Sequence, residues 1–174
     1  MLSTLKQIFS PPLVKQQAFE TYGKIVTQSR REVFYKDWQI EDMLDGRFDV
    51  IVLHLFLVIS RCEQESSPET QSFIRHLSET FFSDMDRSLR EMGASDTGVG
   101  IRVKKMAQAF YGRLKAYSDS IGDELALAEA LKRNIYREKA LDAAALAAYM
   151  QRNHAALRQQ PLDAIMQGNI VFSS

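Results

Sequence analysis

At 174 residues the chain has the size of one ordinary domain, long enough to bury roughly 70% of the surface it exposes when unfolded, so a single core is expected. Lys and Arg together number 22, as do Asp and Glu, which leaves no global field to draw the protein to nucleic acid and makes DNA an unexpected partner. The lone Cys62 excludes an internal disulfide framework and a thiolate metal cluster, and His54, His76 and His154 lack any metal-binding spacing, so neither metal nor cofactor is expected.

In residues 1–9, Met1, Leu5, Ile8 and Phe9 recur at helical spacing. The segment either touches a membrane surface or docks on the domain as a frayed end. It is too short and too weakly basic for a secretory signal or a transit peptide, so the chain is expected to start and stay in the cytoplasm.

Ser10 followed by Pro11 and Pro12 starts a first helix running to about Arg30, with Val14, Ala18, Tyr22, Ile25 and Val26 on its apolar face. A polar and aromatic connection through Phe34, Tyr35 and Trp38 follows. Asp45 is a plausible cap for a second helix over 47–61. Its residues 50–59 are apolar on every side except at His54, and ten such residues cannot cross a bilayer, which needs about 20. The run reads as a central buried helix. A buried strand competes, but no alternating partner strand exists elsewhere in the chain. His54 is expected to be a hydrogen-bonded core histidine and Cys62 a small buried hydrophobe.

Residues 63–69 form the clearest loop. Ser66 with Glu69 fits a capping box, and Ser67 before Pro68 fits the alternative cap one residue later. The third helix then runs to Met92, with Ile74, Leu77, Phe81, Met85, Leu89 and Met92 as its stripe. Asp86 with Arg90 and Arg87 with Glu91 are i,i+4 pairs of a solvated face. Asp84 and Asp86, two apart, point in different directions and cannot share a metal or a proton.

Gly93 stands where a left-handed helix end wants glycine, and Gly98 and Gly100 are expected to let the backbone reverse. A helical hairpin over 68–120 should therefore close antiparallel. Its second arm, 99–120, places Val99, Val103, Met106, Phe110, Leu114 and Tyr117 on one face. That arm carries Arg102, Lys104, Lys105, Arg113 and Lys115 against Asp119, whereas 63–92 carries seven acids against three arginines. The attraction favours closure by a modest, salt-screened amount. Gly98-Val99-Gly100 beside these cations lacks the full phosphate-loop pattern and has no strand before it. Phe110 and Tyr111 beside Arg113 would also suit RNA, but the chain carries no recognised nucleic-acid fold.

A fifth helix opens at Asp123 with Leu127, Leu131 and Ile135, and an alanine-rich sixth spans 140–159 until Pro161 stops it. Residues 161–166 add one further turn at most, and Ile170, Val171 and Phe172 form an apolar end that is either docked or free. The expected fold is thus an all-α, single-domain bundle of about six helices over 1–174, with 1–10 and 161–174 as its flexible ends.

The residues alone stop at a helical domain with an unusual hairpin and name no reaction. Yet Asp84-Met85-Asp86-Arg87-Ser88-Leu89-Arg90-Glu91-Met92-Gly93, then Gly98-Val99-Gly100, Arg102-Val103-Lys104-Lys105-Met106 and Phe110-Tyr111-Gly112-Arg113, resemble the signature block of the ubiquinol-cytochrome c chaperone family. Asp45-Gly46-Arg47-Phe48 and Leu53-His54-Leu55-Phe56-Leu57 resemble its upstream block. The resemblance covers roughly residues 20–140. It implies a non-enzymatic assembly factor that holds newly made cytochrome b before it enters the cytochrome bc complex, respiratory complex III.

With no transit peptide, the resemblance points to a bacterial member at the inner face of the cytoplasmic membrane, with the mitochondrial matrix as the alternative. Nascent cytochrome b is the expected partner, with ribosome and peripheral membrane contacts as further expectations. The candidate client-binding residues are the adaptable Met85, Met92 and Met106 with Leu89, and a basic face of Arg102, Lys105 and Arg113 with exposed parts of Phe110 and Tyr111. The rival is a small enzyme acting on a lipid or quinone through His54 or the Asp84 region. An enzyme needs polar groups converging on a substrate-sized cavity, whereas a chaperone needs a broad apolar surface rimmed by charge.

Overall fold

A computed structural model of the chain describes residues 11–137, 139 and 141–173, and the expectations for residues 1–10 lie outside them. The helices are α1 (Pro11–Ser29), α2 (Glu32–Lys36), α3 (Leu44–Glu63), α4 (Pro68–Glu91), α5 (Asp96–Ser120) and α6 (Glu124–Leu131). A π-helical turn, Lys132–Tyr136, continues α6, and α7 (Ala144–Arg158) and α8 (Leu162–Met166) complete the chain. No strand occurs among the described residues.

The centre is α3. Val50, Val52, Leu53, Leu55, Leu57 and Val58 are fully buried, because a helix that is apolar all round finds its free-energy minimum only when other helices cover every side. Those covering it are α1, α4, α5 and α7, and α1 also packs along most of α4. Phe81 of α4 ties the layers together, with its ring 5.6 Å from that of Phe48 on α3, 6.3 Å from Tyr22 on α1 and 5.4 Å from Phe110 on α5. Gly46 has a packing reason: a Cβ there would stand 1.9 Å from the Glu41 carbonyl oxygen, so only glycine lets the start of α3 lie against the preceding turn.

Several boundaries differ from expectation for identifiable reasons. Met43 occupies the N-cap of α3 without a side-chain cap, and Asp45 instead lies in the first turn, where its negative charge suits the helix dipole. The cap of α4 is Ser67, whose Oγ accepts from Thr70 N at 3.2 Å while Thr70 Oγ1 accepts from Ser67 N at 2.9 Å. Threonine thus does the work expected of Glu69 with Ser66.

The hairpin reversal is made by Gly93 at φ +83°. Gly93 N donates to Arg90 O at 2.9 Å and Ala94 N to Leu89 O at 3.1 Å, the paired bonds of a Schellman motif. Gly98 and Gly100 take no part in it, because α5 already begins at Asp96 under the Ser95 cap. Contacts of Arg90 with Asp96 at the turn and of Phe82 with Phe110 further along set α4 and α5 antiparallel.

Among the described residues the bundle holds eight α-helices, two more than the six expected. The aromatic connection hides α2, whose Phe34 is buried against Trp38 and Tyr149, and the turn after Pro161 closes into α8. Where one fifth helix was expected through Ile135, α6 ends at Leu131 and the chain widens into the π turn. Arg137 N donates to Lys132 O at 2.8 Å, five residues back, and Arg137 itself takes φ +55°. This geometry lets Tyr136 Oη donate to Trp38 O at 2.8 Å and turns Arg137 toward α3. The apolar end is docked: Phe172 meets the His54 ring edge-on at 5.1 Å, and Ser173 N donates to Asn153 Oδ1 at 2.8 Å.

Candidate functional site

Two open grooves meet on the face where α1, α3 and α4 converge. One, of about 610 Å³, runs between Phe19 and Tyr22 of α1 and His76 and Thr80 of α4. The other, of about 470 Å³, continues past Ile51 and Met85 to Met43 and Met92, and the two share Val26, Arg30 and Asp84. Met43 and Met92 are 68% and 63% exposed, two large apolar side chains facing solvent at one end of the trough. Its rim is charged by Arg47, Asp42 and Glu91.

The carboxylate inside the trough, Asp84, is already committed, whereas His76, whose Nδ1 lies 2.9 Å from Glu79 Oε2, keeps a buried Nε2 with no hydrogen-bond partner among the described residues. Asp84 Oδ2 accepts from Tyr22 Oη at 2.8 Å, and Oδ1 is held by Arg87. Burial, and next the Asp84 charge, push the Tyr22 phenol far above its ordinary value, so it stays a neutral donor. Asp86 pairs with Arg90 on the outside at 2.7 Å. The two aspartates point apart, as their spacing requires.

His54 lies away from the trough, fully buried in α3. Its Nδ1 lies 2.7 Å from Val50 O, a carbonyl that can only accept, so Nδ1 carries the proton and Nε2 accepts from Tyr149 Oη at 2.8 Å. Burial pushes His54 down to about 4, and burial pushes the Cys62 thiol up to about 12. The first is a neutral core histidine and the second an unreactive thiol.

The hairpin residues divide into two sets. Met85, Leu89 and Phe110 are buried, Met106 is half-buried, and Met92 and Tyr111 are exposed. The expectation that Phe110 presents a surface is overturned, since its ring is enclosed by Phe81 and Phe82. Arg113 is overturned as well. Its guanidinium turns inward, with Nη2 2.8 Å from Asp49 Oδ1, and lies 5.3 Å over the Phe48 ring. At 3.6 residues per turn, the flank carrying Arg102, Lys105, Met106, Phe110 and Arg113 rolls partly into the core, and the solvent side lies more than a third of a turn away. Arg102 and Lys105 are exposed and form no ion pair among the described residues.

Sequence reading missed Asp49, which is fully buried. Arg137 Nη2 reaches its Oδ2 at 3.2 Å, so one carboxylate joins α3, α5 and the π turn. Burial pushes Asp49 up to about 7 against the lowering pull of both guanidiniums. Nearby, Tyr117 Oη is buried with no hydrogen-bond partner among the described residues. The signal was present: an acid at the head of an unbroken apolar run needs a buried cation. Among the described residues no ion pair joins a cation of α5 to an acid of α4, so the opposite charge of the two arms acts only as a screened, longer-range field. The ion pair that crosses the hairpin runs from Arg90 of α4 to Asp96 of α5.

Against known proteins, a family model described as Ubiquinol-cytochrome C chaperone matches residues 36–172. The chain is 24% identical over 130 residues to a Xenopus laevis protein named ubiquinol-cytochrome-c reductase complex assembly factor 1, a match covering 74% of this chain and 64% of that protein. Among solved structures it is similar to the crystal structure of the Cbp3 homolog from Brucella abortus, at 32% identity and a TM-score of 0.85, covering 100% of this chain and 97% of that one. From the end of α2 to the docked Phe172, the α3 core, the Gly93 reversal and the Asp49 centre all fall inside the matched region, and the chain belongs to the ubiquinol-cytochrome c chaperone family.

Proposed function

We propose that this protein is a non-enzymatic assembly factor that binds newly synthesised cytochrome b and promotes assembly of the cytochrome bc complex, working in the bacterial cytoplasm at the inner face of the membrane. The family match over residues 36–172 carries the reading. The trough supports it. An open apolar floor with a charged rim suits a hydrophobic segment of a client, and exposed Met43 and Met92 above Met85 supply side chains that reshape to different apolar surfaces. Leu89, Phe110 and Arg113 act from beneath by fixing the hairpin. An enzyme acting on a lipid or quinone through the Asp84 region would need that carboxylate free, and in the trough Tyr22 and Arg87 occupy it.

Placing a photo-cross-linking residue at Met43, and separately at Met92, during synthesis of cytochrome b tests the assignment. Adducts with cytochrome b at both positions, and none at exposed Leu125 on α6, are expected. Co-purification of cytochrome b without adducts at either methionine would place the client elsewhere.

A further inference from the structure

No α5 residue lines the trough, so the solvent side of α5 calls for a different account. Ile101, Lys104, Lys105, Tyr111 and Lys115 recur at three- and four-residue steps or their multiples, so they share one face, and all five are exposed. The stripe is about 21 Å long at 1.5 Å per residue. No acid lies between Asp96 and Asp119. Lys115 is paired with Asp119 at 2.8 Å, while Lys104, Lys105 and the flanking Arg102 form no ion pair among the described residues. On a chain of zero net charge this is a local positive field. Within it stand two large apolar side chains that solvent would otherwise exclude, Ile101 at 56% and Tyr111 at 61% exposure.

We infer that this face of α5 docks on an anionic lipid bilayer, with the lysines over the headgroups and Ile101 and Tyr111 entering the interface. Lysines bordering an apolar and a phenolic side chain match the layered polarity of a membrane surface, charge outermost and carbon beneath. A lone tyrosine gives no stacking platform for successive bases, which disfavours RNA. No helix among the described residues is long and apolar enough to cross a membrane, so the contact is peripheral. The inference rests on the assembly reading only for the choice of a bilayer over other polyanions.

Flotation of the full chain tests it, using phosphatidylcholine vesicles with and without 30% phosphatidylglycerol, at low and high salt. The expected result is partition to the anionic vesicles, lost at high salt. Lys104→Gln with Lys105→Gln should lower it by roughly tenfold or more, since each lysine near an anionic surface contributes about fivefold. Ile101→Ser with Tyr111→Ser should lower it severalfold at unchanged charge. Melting curves of these surface variants should match the parent. No preference for anionic vesicles would overturn the inference, as would apolar-pair substitutions without effect. So would tighter binding to a single-stranded RNA that survives the serine substitutions, which would assign the face to nucleic acid. Cytochrome b capture in detergent is measured alongside: capture retained while flotation fails sinks the lipid face alone, and capture lost while flotation holds sinks the assembly reading.

Discussion

Removing the Arg113 guanidinium should cost far more than removing any other cation of the hairpin. In Arg113→Met the stem volume is largely kept, but Asp49, with no exposed surface, loses its 2.8 Å partner and retains only Arg137 at 3.2 Å. Breaking a buried pair from one side costs about 3–5 kcal/mol, because an ionised group is left in a medium that solvates it poorly. For a domain of this size that is a fall in Tm of roughly 6–20 °C. The loss should be largest near pH 8 and shrink toward pH 5, since a carboxyl already raised to about 7 escapes the penalty by taking up a proton. Adding Asp49→Asn to Arg113→Met removes the stranded charge and should recover more than half of the loss. The assay is thermal and urea unfolding of the four members of the cycle at both pH values. A loss under about 1 kcal/mol at pH 8, the size of a surface pair, would mean that Arg113 does not hold a buried charge on Asp49. So would Asp49→Asn adding to the defect.

Leu55→Ala, at a fully buried position of α3, should cost about 2–5 kcal/mol in urea unfolding, and a cost under 1 would deny α3 its central place. Two buried groups give pH dependences of opposite sign. Asp49, raised from its ordinary 3.8 to about 7, contributes stability that is present at acid pH and is lost as pH rises from about 4 through 7. His54, pushed from 6.5 down to about 4, contributes stability that is present above 6.5 and is lost as pH falls toward 4. Stability profiles of Asp49→Asn and His54→Gln should therefore diverge from the parent in opposite directions, and parallel profiles would contradict the assignments.

The core was legible wherever periodicity alone decides the outcome. The apolar run of α3 could only be buried, and the stripe through Phe81, Met85 and Leu89 lies where its spacing puts it. Gly93 was readable because a left-handed helix end has one preferred residue. What escaped depended on partners distant in sequence. Asp49, Arg113 and Arg137 are brought together only by the fold, so Arg113 was read as one more surface cation beside Arg102 and Lys105. The face of α5 turned to solvent was misplaced for the same reason, since helical spacing defines a set of positions but not the direction in which that set points. Gly98 and Gly100 look like the turn because glycine permits reversal, yet the Ser95 cap at Gly98 N commits them to helix. Nothing in the sequence marks Met43, and only the meeting of α3 with α4 sets it beside Met92.

Whether this chain handles cytochrome b is decided by purifying the tagged full chain from the organism that encodes it and identifying the membrane proteins that come with it. Cytochrome b should be recovered with the parent chain and reduced when Met43 and Met92 are both changed to Asp. Purification of the folded protein with a bound small molecule and no cytochrome b would contradict the account.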